Sequence, residues 1–224
     1  MKDTEYAKFV RLYAPTEKAR GRGMQAQFKL PSTKLLGGEY DYINFYCGIG
    51  GYEIGISTAR TPLFLSNGVY KWHWFVNTSN DDHKVENQPV QFNDGDTVTI
   101  KILLDPTTNK LNFYLNGSSS PIYIGTQVYK FLPDCRIVLG ASQSSGFKAP
   151  LAAWRVFHDN VTVSNIYYRN TADTWVSMAS GTLTAFHHPE GVSDANTPAP
   201  LNYLTSANGS HMYTGGSWTA RLTT

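Results

Sequence analysis

The stretch that most constrains the fold is TVTIKILLDPTTNKLNFYLNG at residues 97–117. Its first eight residues alternate apolar with mainly polar side chains, a period of two that is typical of a strand lying on a core. Asp105-Pro106 interrupts the run, because proline fixes φ and has no amide proton to donate. The alternation resumes from Leu111 to Leu115. The stretch therefore predicts a long antiparallel hairpin, whose apolar face needs a second sheet to cover it.

The rest of the chain repeats this pattern. Short alternating segments are separated by turns about every ten residues, which is typical of a β-sandwich. Charged residues make up only 16% of the chain and there are 14 Tyr, a composition that suits half-solvated strands better than helices. No amphipathic helix, internal repeat or biased linker interrupts the pattern. We therefore expect one all-β domain over residues 1–224, with a core at about 6–170 and a β-rich C-terminal extension at 171–224 of open placement.

Charge and hydropathy exclude several classes of partner. The formal net charge is +2 without a Lys/Arg run, which argues against nucleic acid. No apolar segment approaches the roughly 20 residues that span a bilayer, so membrane insertion is not expected. We expect an extracellular protein whose signal peptide was removed before residue 1. Gly209-Ser210-His211-Met212 has the spelling of a cloning remnant, although a native loop could carry the same residues. The oligomeric state is left open.

The two cysteines, Cys47 and Cys135, follow the apolar alternation of their segments. Each is therefore expected to be a small buried core residue. Their separation in the sequence does not decide whether they form a disulfide.

Two motifs carry a family resemblance. The hairpin has the form DPxTxKLxFYLNG, and a late predicted strand begins FHDNVTV at Phe157. Together with the order of strands, they resemble the concanavalin A-like lectin/glucanase superfamily over roughly residues 6–170. The resemblance implies a jelly-roll β-sandwich of two curved antiparallel sheets that binds a polysaccharide or glycan on its concave face. The superfamily also holds hydrolases and lyases, so the fold alone does not choose the activity.

If one face of each strand packs inward, the opposite faces supply the groove. Rings there would stack on sugar rings, while amides and charges would bind hydroxyls, uronates or sulfates. An ordinary solvated sheet face has a similar composition, so that alternative stays open. Trp72 and Trp74 are expected in the core instead. The predicted ligand-binding residues are Tyr42, Asn44, Glu53, Lys71, Phe75, Lys101, Asn112 and Arg136.

The sequence offers two catalytic alternatives. Glu39-Tyr40-Asp41-Tyr42-Ile43-Asn44 is similar to the E-x-D-x-x-E signature of laminarinase-type hydrolases on this fold, but Asn44 stands where the acid/base glutamate would be. A polysaccharide lyase would instead need a base, for which the catalytic candidates are His73, Tyr46 and Tyr114. The Q-[IV]-H and YFKAG-type motifs of jelly-roll alginate lyases are absent. The sequence therefore favours non-catalytic carbohydrate binding, with β-elimination on a uronate polymer as the first alternative and a structural or adhesion module as the second.

No metal site or cofactor is predicted. His187 and His188 are adjacent, so on a strand they point to opposite faces. Residues 80–82 and 93–96 could supply oxygens to a structural Ca²⁺, which is frequent on this fold, but they also fit ordinary turns.

Overall fold

The computed structural model describes residues 6–32, 41–59, 62–77, 83–84, 91–143, 158–188 and 209–222. Within these ranges the chain forms β-strands and short 3₁₀ turns, and no helix is long and apolar enough to cross a membrane. The first nine strands are β1 (Tyr6–Tyr13), β2 (Gly23–Lys29), β3 (Tyr42–Ile49), β4 (Tyr52–Ala59), β5 (Leu65–Ser66), β6 (Val69–Tyr70), β7 (Trp72–Asn77), β8 (His83–Lys84) and β9 (Gln91–Phe92). The others are β10 (Thr97–Leu104), β11 (Lys110–Leu115), β12 (Tyr123–Val128), β13 (Cys135–Gln143), β14 (His158–Arg169), β15 (Trp175–Ser177), β16 (Thr182–His188), β17 (Gly209–Thr214) and β18 (Ser217–Leu222).

The strands build two large antiparallel sheets. The first sheet has the order β16-β1-β13-β3-β4-β7-β8, with β9 also paired to β7. The second has the order β12-β11-β10-β2-β14-β18-β17, with β15 also paired to β14. A small hairpin of β5 and β6 lies apart from both sheets. The predicted all-β sandwich is confirmed.

The predicted central hairpin is β10–β11, with Ile102 opposite Phe113. The carboxylate of Asp105 shapes the turn, because it accepts hydrogen bonds from the amides of Thr107 (2.9 Å) and Thr108 (2.7 Å). β10 also pairs with β2, so the hairpin belongs to the second sheet.

The core lies between the two sheets and is built from the inward faces of their strands. Phe45 of the first sheet stacks on Phe28 of the second at 6.3 Å between ring centroids. Trp72 and Trp74 are buried in the same cluster, as the alternation predicted. The Trp72 indole donates a hydrogen bond of 3.0 Å to Asp94, so its polar atom is satisfied at the edge of the core.

The C-terminal strands complete both sheets. β16 pairs with β1 in the first sheet, and β18 pairs with β14 in the second. Trp218 of β18 is fully buried in the core cluster. Residues 209–212, whose spelling suggested a cloning remnant, lie in β17, which pairs with β18. The described strands of the C-terminal extension therefore belong to the two sheets.

The two cysteines lie on neighbouring strands with their thiols free and buried. Cys47 is opposite Ile137, so Cys135 is its diagonal neighbour, two residues along β13. Diagonal neighbours are about 7–8 Å apart, beyond the roughly 4.4–6.8 Å that a disulfide allows between Cα atoms. Burial raises the pKa of the Cys135 thiol to about 12. The register therefore answers the open question in favour of two separate thiols.

Candidate functional site

The candidate site is the outer face of the first sheet, the face turned away from the core. Strand register places its side chains in three rows that cross β1, β13, β3, β4 and β7. The ion-pair row consists of Tyr13, Arg136, Gly48, Glu53 and Asn77. The aromatic row consists of Arg11, Val138, Tyr46, Gly55 and Phe75. The amide–histidine row consists of Phe9, Gly140, Asn44, Ser57 and His73.

In the ion-pair row, Arg136 joins two carboxylates. Its guanidinium lies 3.2 Å from Glu53 Oε1 and 2.8 Å from Asp134 Oδ2. Asn77 donates a hydrogen bond of 3.1 Å to the other oxygen of Glu53. Burial opposes the charge of Arg136, but the two carboxylates outweigh it and raise the pKa of the guanidinium. Both oxygens of Glu53 thus have a partner, and the salt bridge between Arg136 and Glu53 links β13 to β4.

The aromatic row is packed tightly. The rings of Tyr46 and Phe75 meet edge to face at 5.9 Å, and Val138 and Phe9 complete the cluster. Gly55 between them leaves the space, since a Cβ there would come within 2.6 Å of the Phe75 ring. Burial, with the nearby charge of Glu53, raises the pKa of Tyr46 well above its usual value. Tyr46 is therefore a neutral phenol and a poor base.

The amide–histidine row contains buried polar atoms that no described residue hydrogen-bonds. Asn44 and His73 are only 8% and 4% exposed. Among the residues that the structure describes, Asn44 Oδ1 and both ring nitrogens of His73 have no hydrogen-bond partner. Ser57, half-buried, lies between them in the register. Burial lowers the pKa of His73, so its ring is neutral near pH 7 and can both donate and accept one hydrogen bond.

One further ring covers this row. Phe64, which ends the 3₁₀ turn Pro62–Phe64, packs edge to face on His73 at 5.0 Å between ring centroids. Phe64 is buried, whereas its neighbours Leu63 and Leu65 are 47% and 45% exposed. The amide of Lys71 donates a hydrogen bond of 2.7 Å to the carbonyl of Phe64, which ties the turn to the residue just before β7.

The structure brings seven predicted site residues to this one face: Tyr42, Asn44, Tyr46, Glu53, His73, Phe75 and Arg136. Lys71 immediately precedes β7, and its Nζ donates to Asn93 Oδ1 at 2.5 Å. Lys101, Asn112 and Tyr114 do not join them, because β10 and β11 belong to the second sheet. Alternation along a strand reports the face of a side chain but not the sheet that the strand enters.

Sequence reasoning missed residues on turns and glycines. Asp134 and Phe64 lie outside the alternating segments and gave no signal. Gly55 and Gly140 lie inside strands, where glycine often marks a close approach. A Cβ on Gly140 would collide with Asn44 Oδ1 and with the Phe9 ring. These glycines allow neighbouring side chains to lie across the sheet.

Other sequence features do not build a site here. Glu39 and residues 80–82 lie outside the described residues. In the turn at 93–96, Asp96 accepts a hydrogen bond of 2.7 Å from the amide of Asn93, and Asp94 accepts from Trp72 and Ser32. The part of the chain that the structure describes contains no cluster of three His, Cys, Asp or Glu side chains suited to a metal ion.

Comparison with known proteins supports the fold. No protein-family model and no curated protein matches the chain. Scytalido-glutamic peptidase with a peptide-based transition-state analogue is similar at a TM-score of 0.57, with 10% identity over 97% of each chain. SCP-B, an Eqolisin-family peptidase in complex with the tripeptide Ala-Ile-His, is similar at 0.52, with 10% identity over 98% of each chain.

A β-1,3-glucanase from Mycobacterium marinum is similar at a TM-score of 0.33, with 15% identity over 62% of this chain and 64% of its own. A TM-score this low supports no conclusion about the fold or activity of this chain. At identities this low, the likeness to the two peptidases concerns the fold and not the activity. The chain is an all-β sandwich of two large antiparallel sheets, and the comparisons show no specific family.

Proposed function

We propose that this chain binds a polysaccharide or glycan on the outer face of its first sheet, along the amide–histidine row. The observation that carries the proposal is the set of buried atoms on Asn44 and His73 that have no hydrogen-bond partner in the described part of the chain. Leaving such a group unsatisfied costs about 1–3 kcal/mol. A sugar hydroxyl both donates and accepts, so once the Phe64 ring moves off His73 it can satisfy the Asn44 oxygen and either nitrogen of the neutral His73 ring.

Rings at the margin of the row support a sugar ligand. Tyr42 and Phe9 are half-buried, so each keeps some ring surface that can contact the apolar face of a sugar. Tyr46 and Phe75 are almost fully buried and serve as a rigid base beneath the site. Polar atoms beside accessible rings are the combination that sugars require.

The ion-pair row argues against hydrolysis. Glu53, the one carboxylate among the three rows, is held by Arg136 and Asn77. A retaining glycosidase needs two carboxyl groups roughly 5–5.5 Å apart, one of which must carry a proton. Since Glu53 stays paired with a cation, this face supports binding better than hydrolysis.

One observation favours a second candidate, a polysaccharide lyase. His73 is neutral, and neither of its nitrogens bonds to a described residue, as a base for proton abstraction requires. Tyr46 does not suit that role because its pKa is raised, and Tyr114 lies on the other sheet. Arg136, the cation that would neutralise a uronate, is already paired with Glu53 and Asp134. Binding is therefore the function we put first.

The test is a binding panel of neutral and uronate polysaccharides, with absorbance at 235 nm recorded to detect β-elimination. Asn44→Leu and His73→Phe each remove unpartnered polar atoms while keeping volume, and we expect each to weaken binding about tenfold or more. Gln127→Leu, an exposed amide on β12 of the other sheet, is the matched control and should bind as wild type. A rise at 235 nm that His73→Phe abolishes would replace binding by lyase activity. Binding of the tripeptide Ala-Ile-His but of no sugar, or no ligand at all, would overturn the proposal.

A further inference from the structure

The outer face of the second sheet carries a separate row of accessible side chains. Register places Tyr114, Lys101, Gln25, Tyr167 and Ser177 side by side across five strands. All five are half-buried or exposed, in contrast to the buried rings of the first sheet. Three strand spacings of about 4.8 Å separate Tyr114 from Tyr167, so the two rings are about 14 Å apart. The row is long enough for an oligomer and not only a single small molecule.

A third ring lies beside this row. Trp175 is opposite Arg169 on β14, which is opposite Gly23 on β2. A Cβ on Gly23 would lie 2.8 Å from the end of the Trp175 indole, so the indole extends across β14 to β2. Trp175 is half-buried. Tyr114, Tyr167 and Trp175 thus present partly open rings on one face.

The charge of this face is positive and incompletely neutralised. The Lys101 ammonium lies 4.0 Å from the centroid of the Tyr114 ring. Among the described residues, no carboxylate lies within ion-pair distance of Lys101. Asp173 is paired with Arg169 at 2.7 Å and lies 3.8 Å from Arg22. Burial, followed by the charge of Arg169, lowers the pKa of Lys101, as expected of a cation beside a second cation.

We propose that this face is a second binding site, for an anionic polysaccharide. A carboxylate or sulfate of the sugar pairs with Lys101, sugar rings stack on the three aromatic side chains, and Gln25 bonds hydroxyls. Nucleic acid fits less well, because its affinity comes from many phosphate contacts and this row offers one unpaired cation. The site is on the opposite side of the sandwich from Asn44 and His73, so it does not depend on the function proposed above.

The test compares each anionic probe with its neutral counterpart by titration calorimetry: oligogalacturonate with its methyl ester, and dextran sulfate with dextran. Lys101→Met should weaken binding of the anionic probe by about tenfold or more, the loss expected for one charge-assisted contact. Lys29→Met is the matched control, because Lys29 is an exposed lysine on the same face of β2 and its loss changes the net charge equally. Trp175→Leu should weaken the same binding by about tenfold, through lost stacking. The carboxylate and sulfate pairs show which anion the site prefers.

Unfolding midpoints close to wild type would show that the variants are folded; if Trp175→Leu unfolds, Tyr167→Leu takes its place. Equal losses for Lys101→Met and Lys29→Met would reveal unspecific charge attraction and overturn the proposal. Binding that is lost in Asn44→Leu but kept in Lys101→Met would place the ligand on the first sheet and would also overturn it. Failure of every anionic probe to bind would do the same, and would leave neutral-sugar binding on the first sheet as a separate question.

Discussion

The guanidinium of Arg136 on β13 crosses β3 to reach the carboxylate of Glu53 on β4, 3.2 Å away. Gly48 on the intervening strand permits the crossing, since a Cβ there would lie 3.1 Å from the guanidinium carbon. Arg136 also donates to the carbonyl of Gly50, in the turn that joins β3 to β4. One side chain thus ties together three strands and a turn at one end of the candidate site.

Removal of this cation should destabilise the sandwich. The Arg136 side chain is only 8% exposed, and Arg136→Met would leave Glu53 and Asp134 close together without a counter-charge. Breaking a buried pair in this way costs about 3–5 kcal/mol. We expect the free energy of unfolding from urea titration to fall by about 3 kcal/mol, the lower end because Asp134 is partly exposed. Arg221→Met, an exposed control, should change the free energy of unfolding by less than about 0.5 kcal/mol. Equal effects of the two variants would show that the ion pairs of Arg136 do not stabilise the fold.

Acid should weaken the fold through His158. Burial lowers the pKa of this core histidine to about 4, although its hydrogen bond to Asp159 opposes the shift. The unfolded value is about 6.5, so between these two values the unfolded chain binds more protons and stability falls as the pH falls. Above about pH 6.5, His158 takes nothing from the free energy of unfolding. As the pH falls to about 4, its protonation in the unfolded chain lowers that free energy by up to about 3 kcal/mol.

Urea unfolding at pH 7.5 and pH 4.5 measures this loss. Carboxylates also titrate in that range, so the informative quantity is the difference between wild type and His158→Gln. The variant should lose less stability on acidification than wild type. Equal losses would show that His158 does not set the acid sensitivity.

Much of the fold is predictable from the sequence because alternation is a local property. The run from Thr97 to Leu104 and the inward positions of Trp72 and Trp74 follow from a period of two. Alternation carries no information on which strands pair, so it predicts one face for Lys101, Tyr114, Asn44 and His73, although Asn44 and His73 belong to the other sheet. Long-range pairing is decided by packing across the whole core, and no single segment contains it.

The residue types of the candidate site were predictable from the sequence, but their ion pairing and burial were not. Alternation placed Glu53 and Arg136 on the outer face, but their ion pair depends on a turn residue, Asp134, and on the space above Gly48. The burial of Asn44 and His73 on a face turned away from the core has no counterpart in the alternation. A simple pattern assigns such positions to solvent.

The two cysteines should remain reduced, so a reductant should not change the stability of the fold. Cys47 and Cys135 are diagonal neighbours on antiparallel strands, too far apart to bond without a shift of the backbone. Titration of the unfolded, non-reduced protein should find two thiols, and adding a reductant should leave the unfolding midpoint unchanged. A mass lower by two hydrogen atoms before reduction would show a disulfide and contradict this register.

Gly55 should be intolerant of even a methyl group. A Cβ there would lie 2.5 Å from the carbonyl oxygen of Phe45 and 2.6 Å from the Phe75 ring. The backbone carbonyl cannot yield as a flexible side chain would, so Gly55→Ala should cost about 1–3 kcal/mol or more. Ser57→Ala, two residues along the same face, should cost less than about 1 kcal/mol. Calorimetric unfolding of the two variants compares them directly, and similar midpoints would show that the aromatic row is looser than described.

Phe64 should control how far His73 is shielded from water. Its ring packs edge to face on the imidazole at 5.0 Å, and burial is what lowers the pKa of His73. Phe64→Ala opens this contact, so the pKa of His73 should rise toward the ordinary value of about 6.5. Proton NMR titration of the His73 ring, assigned by its loss in His73→Phe, measures the change. Leu63→Ala, which removes an exposed neighbour in the same turn, should leave the pKa unchanged. If both variants raised it equally, the whole turn and not the Phe64 ring would be the shield; if neither did, His73 would be shielded from elsewhere in the fold.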